Sequence, residues 1–395
     1  MIMTQPPDNS YLNDIALAQN AGIDAFAVNY GGGQDNAVQM ETWLQQFYTD
    51  AASKNFKLFM SYDTTCLTDP HVMANISNAY AHHPAQLWVD GKIFLSSFST
   101  GPPPFNWQTD VINKIGAPVM FMPGTISTSA PAIAAANVGS GVFTWLHPAS
   151  TVLQESQVDE SFSDERINHQ SQGYNKPWMA GLSPWFFKRL SPSLNWLNAQ
   201  DSGIWFDRWL SLLQLQPDFI ELVTWNDYGE SSYLAPLRAF TQNKYVSQTM
   251  QYGGLDHSGF LTMTWHFINA FKAGALAPLD VAPQDEDVFM VYRTQPALTN
   301  GGKDSMALPE SVGNVKDDIY IISFLAEDAT VTLMSGNNQH QIPCKAGVNK
   351  ASIPFTWGNQ TITMDRKLGN GKTLMKEGQA VMGGYDHYEG NVVAI

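Results

Sequence analysis

From the first residue to about position 275, short runs of apolar and β-branched residues alternate with longer amphipathic stretches. The runs "MIM" (1–3), "DAFAVN" (24–29), "KLFMSYD" (57–63), "IFLSSFS" (93–99), "PVMFMPG" (118–124), "GVFTWL" (141–146), "WMAGLSP" (178–184) and "FIELVTW" (219–225) read as eight buried strands. Such runs, bounded by turn formers, suit strands packed on both faces. Helical signals fill the gaps. "DNSYLNDIALAQNAG" offers an Asp or Ser as N-cap and Gly22 as a stop, and "METWLQQFYTDAASK", "DPHVMANISNAYAHH" and "DRWLSLLQLQ" carry apolar positions at helical spacing. Eight strands, each followed by a helical or loop segment, predict a (β/α)8 TIM barrel, an α/β fold whose chemistry lies at the C-terminal ends of the strands. A doubly wound open sheet is the alternative. It would usually show a Gly-rich phosphate turn after its first strand, and "MIMTQPPDN" has none. The run "YGGGQDN" after the second strand reads as a loop rather than a phosphate cradle.

The rhythm changes near residue 313. "DDIYIISFLAEDATVTLMSGNNQHQIPCKAGVNKASIPF" alternates polar and apolar positions with frequent turn signals, which predicts a C-terminal all-β sandwich over 313–395. The Pro/Gly/Ser-rich stretch 296–312 reads as a linker, leaving 1–295 for the barrel.

Composition narrows the partners. The 395 residues carry 21 basic and 36 acidic side chains, a net charge of -15 that opposes nucleic acid and anionic membrane surfaces. Only 14% of residues are charged, while 12 Trp and 14 Tyr are present. That mix suits sugars, whose apolar ring faces stack on aromatics. The two cysteines, Cys66 and Cys344, lie far apart and read as free thiols. No run is long and apolar enough for an ordinary transmembrane helix, and no signal peptide is visible in "MIMTQPPDNS".

The strand ends supply the candidate chemistry: Asn29 and Tyr30, Tyr62 and Asp63, Trp145 and His147, Ser183 and Trp185, then Trp225, Asn226, Asp227, Tyr228 and Glu230. His257 is a further candidate for sugar hydroxyls. Carboxylates without a Cys/His cluster point to acid/base chemistry rather than to a metal or other cofactor. Asp227 and Glu230, three apart with Gly229 between to ease a turn, fit a glycosidase pair in which one acid protonates the leaving oxygen and the other activates water. Asp63 fits a third carboxylate, a hydroxyl ligand or a strand-end cap. "DRWLSLLQLQPDF" places Asp207 and Arg208 at a helix start, where a structural role is the better reading.

These segments also carry a resemblance. "DIALAQNAGIDAFAVN", "KLFMSYD", "HHPAQLWVDGKIFLSSFS", "MAGLSPWFF", "WFDRWLSLLQLQPDFIELVTWNDYGES" and "DHSGFLTMTWHFINAFKAG" resemble the successive motifs of glycoside hydrolase family 71, the α-1,3-glucanases or mutanases. The resemblance implies secretion, hydrolysis of α-1,3-glucan with inversion, an acid pair at Asp227 and Glu230, and a substrate contact at Asp63. On this reading Glu230 is the general acid and Asp227 the general base. The chain departs from the family pattern in its short first strand, in His147 where relatives tend to carry an acid, and in "SFSTGPPPF", which lacks an acid found in some relatives. A carbohydrate-binding barrel without activity and a hydrolase or transglycosylase acting on another α-glucan are the competing functions.

Overall fold

The computed structural model describes residues 1–3, 10–31, 37–98, 103–125, 139–144, 176–197, 203–237, 254–309 and 312–395. The chain divides into two compact units, one of residues 1–147, 161–182 and 215–225, the other of 148–160, 183–214 and 226–395.

In the first unit, helices α1 (Leu12–Asn20), α2 (Ala37–Ser53) and α3 (Pro70–Tyr80) alternate with strands β1 (Ala25–Tyr30) and β2 (Lys57–Asp63). The two-residue strand β3 (Trp88–Val89) folds back on β4 (Lys92–Phe98), and β5 (Val119–Thr125), β6 (Val142–Thr144) and β7 (Trp178–Leu182) follow. The chain then passes through the hairpin β8 (Phe187–Ser191) and β9 (Leu194–Leu197) and helix α4 (Ile204–Leu215), which belong chiefly to the second unit. It returns as β10 (Phe219–Leu222). Seven parallel strands lie in the order β1, β2, β4, β5, β6, β7, β10, without a reversal. A doubly wound sheet needs such a reversal, so that alternative is excluded. The first expected strand survives as a single parallel bridge between Ile2 and Asn29.

The sheet is strongly curled. Ala27, Phe59, Phe94, Met120, Met122, Phe143, Met179 and Val223 form one buried cluster that draws on the whole run of strands. Phe94 on β4 and Phe219 on β10 are four strands apart in the sheet, about 19 Å if it were flat. Their rings meet edge to face at 5.0 Å. Trp225, just past β10, likewise packs edge-on against Phe26 of β1 at 4.9 Å and donates its Nε1–H to buried Asp14 at 2.8 Å. Helix ends follow local chemistry. Asp69 accepts the His71 amide at 2.9 Å with Pro70 opening α3, while Gly22 ends α1 in the left-handed region at φ 84. Tyr11 occupies the α1 N-cap without a side-chain capping bond, and Asp50 accepts its amide at 2.8 Å.

The second unit combines α4, helix α5 (Ser258–Lys272) and two four-stranded antiparallel sheets. One sheet has the order β15 (Gly347–Pro354), β12 (Asp318–Leu325), β11 (Asp287–Arg293), β18 (Val392–Ala394). The other has the order β14 (Asn338–Cys344), β13 (Ala329–Ser335), β16 (Gly358–Lys367), β17 (Thr373–Val381). Met290, Tyr292, Ile321, Val331, Leu333, Ile362 and Val393 share a core between them. Two particulars differ from the sequence expectation. β11 lies before residue 296 yet pairs with β12 and β18, and helices pack in the same unit: Trp209 stacks on Phe267 at 5.3 Å, and His266 on Phe324 at 3.9 Å. Both cysteines are free, Cys344 buried and Cys66 exposed. Among the described residues no helix is long and apolar enough to cross a membrane.

Candidate active site

After Trp225 the chain enters the second unit and tightens into a single 3-10 turn, Tyr228–Glu230. Asp227 is its N-cap and accepts the Glu230 amide at 3.0 Å, with a further amide bond from Gly229. The conformational demand falls elsewhere than the sequence suggests. Gly229 sits within the turn, and Ser231, buried, takes the left-handed conformation at φ 58. A non-glycine residue held there costs about 1 kcal/mol, and such positions recur at functional sites.

The turn sets Asp227 and Glu230 beside a cation that the sequence reading missed. Lys188 of β8 places Nζ 2.7 Å from Glu230 Oε1 and lies 5.9 Å from the Trp196 ring of β9. Glu230 and Lys188 are both largely buried, so their attraction is little screened. Asp227 stays partly open to solvent while protein crowds its carboxyl. Burial, then the negative charge of Glu230, pushes its pKa up to about 7; Lys188 and the two amide bonds act against the rise. The direction of that shift favours a protonated Asp227, while Lys188 pairs with the Glu230 carboxylate. That charge order is opposite to the one expected of a Glu230 donor. No signal short of the tertiary fold marks Lys188, because it lies about 40 residues upstream in a hairpin between strands.

Asp63 ends β2 in the first unit. Its Oδ1 accepts the Thr65 amide at 2.9 Å and the Thr65 hydroxyl, which is the capping role considered for it, while Oδ2 takes no hydrogen bond among the described residues. Asn29 is half-buried and its side chain has no hydrogen-bond partner among the described residues. Tyr30 is 6% exposed with its hydroxyl likewise unbonded. These three retain groups that could meet a sugar.

Several other expected sugar contacts are buried, most with their polar atoms bonded to protein. Tyr62 is fully buried and donates to the Met73 carbonyl at 2.9 Å, with Ser77 at 2.8 Å. Trp185 is fully buried, its Nε1–H bonded to the Gly390 carbonyl at 2.9 Å. Trp225 is held by Asp14, and Tyr228 donates to the Pro236 carbonyl at 2.9 Å. His257 is stacked on Tyr233 at 3.9 Å with both ring nitrogens engaged, and burial pushes its pKa down to about 4. Asn226 is buried. An aromatic at a strand end serves equally as a platform or as core, and only packing separates the two. Trp145 and His147 lie outside the described residues.

Glu221, on the same face of β10 as Phe219, also escaped the sequence reading. Its burial raises its pKa to about 7, and its Oε2 has no hydrogen-bond partner among the described residues. Among the described residues no group of three or more His, Cys, Asp or Glu side chains is gathered for a metal ion.

A curled parallel sheet followed by two neighbouring carboxyls is an arrangement that fits a glycosidase. The chain belongs to glycosyl hydrolase family 71, whose model matches residues 2–394. It is 30% identical over 380 residues to the glucan endo-1,3-alpha-glucosidase agn1 of Schizosaccharomyces pombe, covering 91% of this chain and 84% of that one. It is also 30% identical over 392 residues to a mutanase of Penicillium rubens, covering 96% and 83%. Among solved structures, an endo-alpha-mannosidase of Bacteroides thetaiotaomicron matches with a TM-score of 0.50 at 13% identity, covering 67% of this chain and 84% of that one, a likeness of fold.

Proposed function

We propose that this glycosidase hydrolyses α-1,3-glucosidic bonds in an uncharged glucan, with Asp227 and Glu230 as its acid/base pair and Asp63 as a substrate contact. The two relatives carry the substrate assignment, and the coupled pair beside Lys188 carries the chemistry. The winding of seven strands plus the Ile2 bridge supports a (β/α)8 barrel, with the paired antiparallel sheets as the sandwich that follows it. The relatives' names, one of them an ascus wall endo-1,3-alpha-glucanase of S. pombe at 24% identity over 389 residues, covering 89% of this chain and 83% of that one, favour action outside the cell.

Two orders of proton traffic are open to the pair. In the order read from sequence, Glu230 protonates the leaving oxygen and Asp227 draws a proton from water. That order requires the proton to cross from Asp227 and Lys188 to release Glu230. The charge layout favours the reverse, with Asp227 giving the proton and Glu230 activating the water. Inversion follows in either case if water attacks directly on the face opposite the leaving group.

Anomer-resolved NMR of the first products from α-1,3-glucan tests substrate and stereochemistry together. Initial appearance of the β-anomer is expected, and the α-anomer would refute inversion. Leaving-group dependence assigns the roles. The donor variant, Asp227→Asn or Glu230→Gln, retains activity on glucosides with strongly acidic aglycones and loses it on the polymer. Parental turnover in both variants would sink the pair.

A further inference from the structure

The outer face of the sheet formed by β14, β13, β16 and β17 is solvent-exposed and uncharged over its middle rows, with Asp365 and Lys367 toward the far end of β16 and Glu377 on β17. Register places Gln341, Thr332, Thr363 and Met375 in one row across it, with Met334 and Thr361 in the next. Met375 is 66% exposed. The next row's charged member, Glu377, takes the Asn359 amide at 3.3 Å.

Trp357 stands at the start of this surface, one residue before β16. It is 58% exposed, more than Trp88 or Trp196. An exposed indole on a free loop would normally fold down, yet this one is held in place. Ser335 Oγ accepts the Thr356 amide at 2.8 Å, the Gly336 amide donates to the Asn359 carbonyl at 2.9 Å, and Gln360 Nε2 donates to the carbonyls of Thr356 at 2.8 Å and Gly358 at 2.7 Å. The ring lies against Gly383, where a Cβ would come within 2.6 Å of Cζ3. Any side chain there would displace the indole. Nε1–H has no partner among the described residues.

We propose that Trp357 and the adjoining Thr/Gln/Met face form a second glycan-binding surface, separate in sequence from the carboxyl pair, that holds a chain of an insoluble, uncharged polysaccharide. A rigid exposed indole presents one apolar face at little entropic cost, and a pyranose ring offers the matching face. The free Nε1–H and the threonine and glutamine side chains meet hydroxyls. The uncharged rows beside Trp357, within a chain of net charge -15, disfavour anionic polymers. That the polymer is α-1,3-glucan rests on the proposed function.

Adsorption in the cold is measured for the full-length parent, Trp357→Ala and Trp357→Tyr on insoluble α-1,3-glucan, insoluble α-1,4-glucan and cellulose, beside hydrolysis of a soluble α-1,3-linked oligosaccharide. The expected result is adsorption weakened about five- to tenfold by Trp357→Ala, retained by Trp357→Tyr, with unchanged kcat/KM on the soluble substrate. Equal adsorption of all three proteins, or a parent that adsorbs to none of the polymers, overturns the surface. So does equal weakening in both variants accompanied by a lowered melting temperature. A parent that adsorbs through Trp357 yet fails to cleave α-1,3-glucan upholds the surface and removes the functional reading.

Discussion

Asp227→Asn should stabilise the protein at pH 8 while abolishing turnover. Asn keeps an oxygen that can accept the Glu230 amide at 3.0 Å and the Gly229 amide, so the turn is preserved. What it removes is a carboxyl whose pKa the fold pushes up from 3.8 to about 7. The folded protein binds this proton more tightly than the unfolded chain. The contribution to stability is therefore full below about pH 4 and is lost as pH rises through 7. A rise of that size corresponds to about 4 kcal/mol if taken whole. Partial solvent access and the sharing of one proton with Glu230 reduce the expected effect to about 1–2 kcal/mol. Denaturant unfolding of parent and variant at pH 5 and pH 8 checks it. The variant should gain on the parent between the two pH values by that amount. An unfolding difference that is the same at both pH values would refute the electrostatic account of the pair, whatever the variant's activity.

Three further outcomes follow from the same geometry. Lys188→Met should move the pH dependence of kcat/KM upward by about one pH unit, since it removes the charge that favours ionised Glu230; an unmoved profile contradicts the role given to the lysine. Asp63→Asn should keep the Thr65 cap and the melting temperature while lowering kcat/KM about 100-fold, whereas Asp63→Ala should also lose about 1 kcal/mol of stability. His257, neutral with a pKa near 4, contributes stability that is present above 6.5 and lost as pH falls toward 4, so His257→Gln should flatten the acid side of the stability curve followed by circular dichroism.

The strands were legible because each is a compact apolar run. Their order was legible because consecutive parallel strands, with helices between the early ones, wind one way. The acids at 227 and 230 stood out in the sequence because carboxyls after a core strand are costly without a purpose. The first strand was over-read, since three residues sustain only the Ile2 bridge. Tyr62, Trp185, Trp225 and Tyr228 were assigned to sugar although their polar atoms bond to protein, a choice decided by partners such as Asp14 and Gly390 far away in sequence. Lys188 and Glu221 were invisible for the same reason. Their significance arises only where burial and a distant charge meet.

The stretch 296–312 read as a linker in the sequence. Arg189, next to Lys188 on β8, donates to Asp304 Oδ2 at 2.6 Å and to the carbonyls of Met306 and Ala307, and the same carboxylate accepts the Tyr388 amide at 2.9 Å. One strand thus grips Glu230 with one residue and the supposed linker with the next. A protein shortened at residue 295 would lose the anchor of that strand and, with it, the steady position of the lysine. For anyone trimming this enzyme to a minimal catalyst, that stretch is part of the scaffold that steadies the strand carrying Lys188.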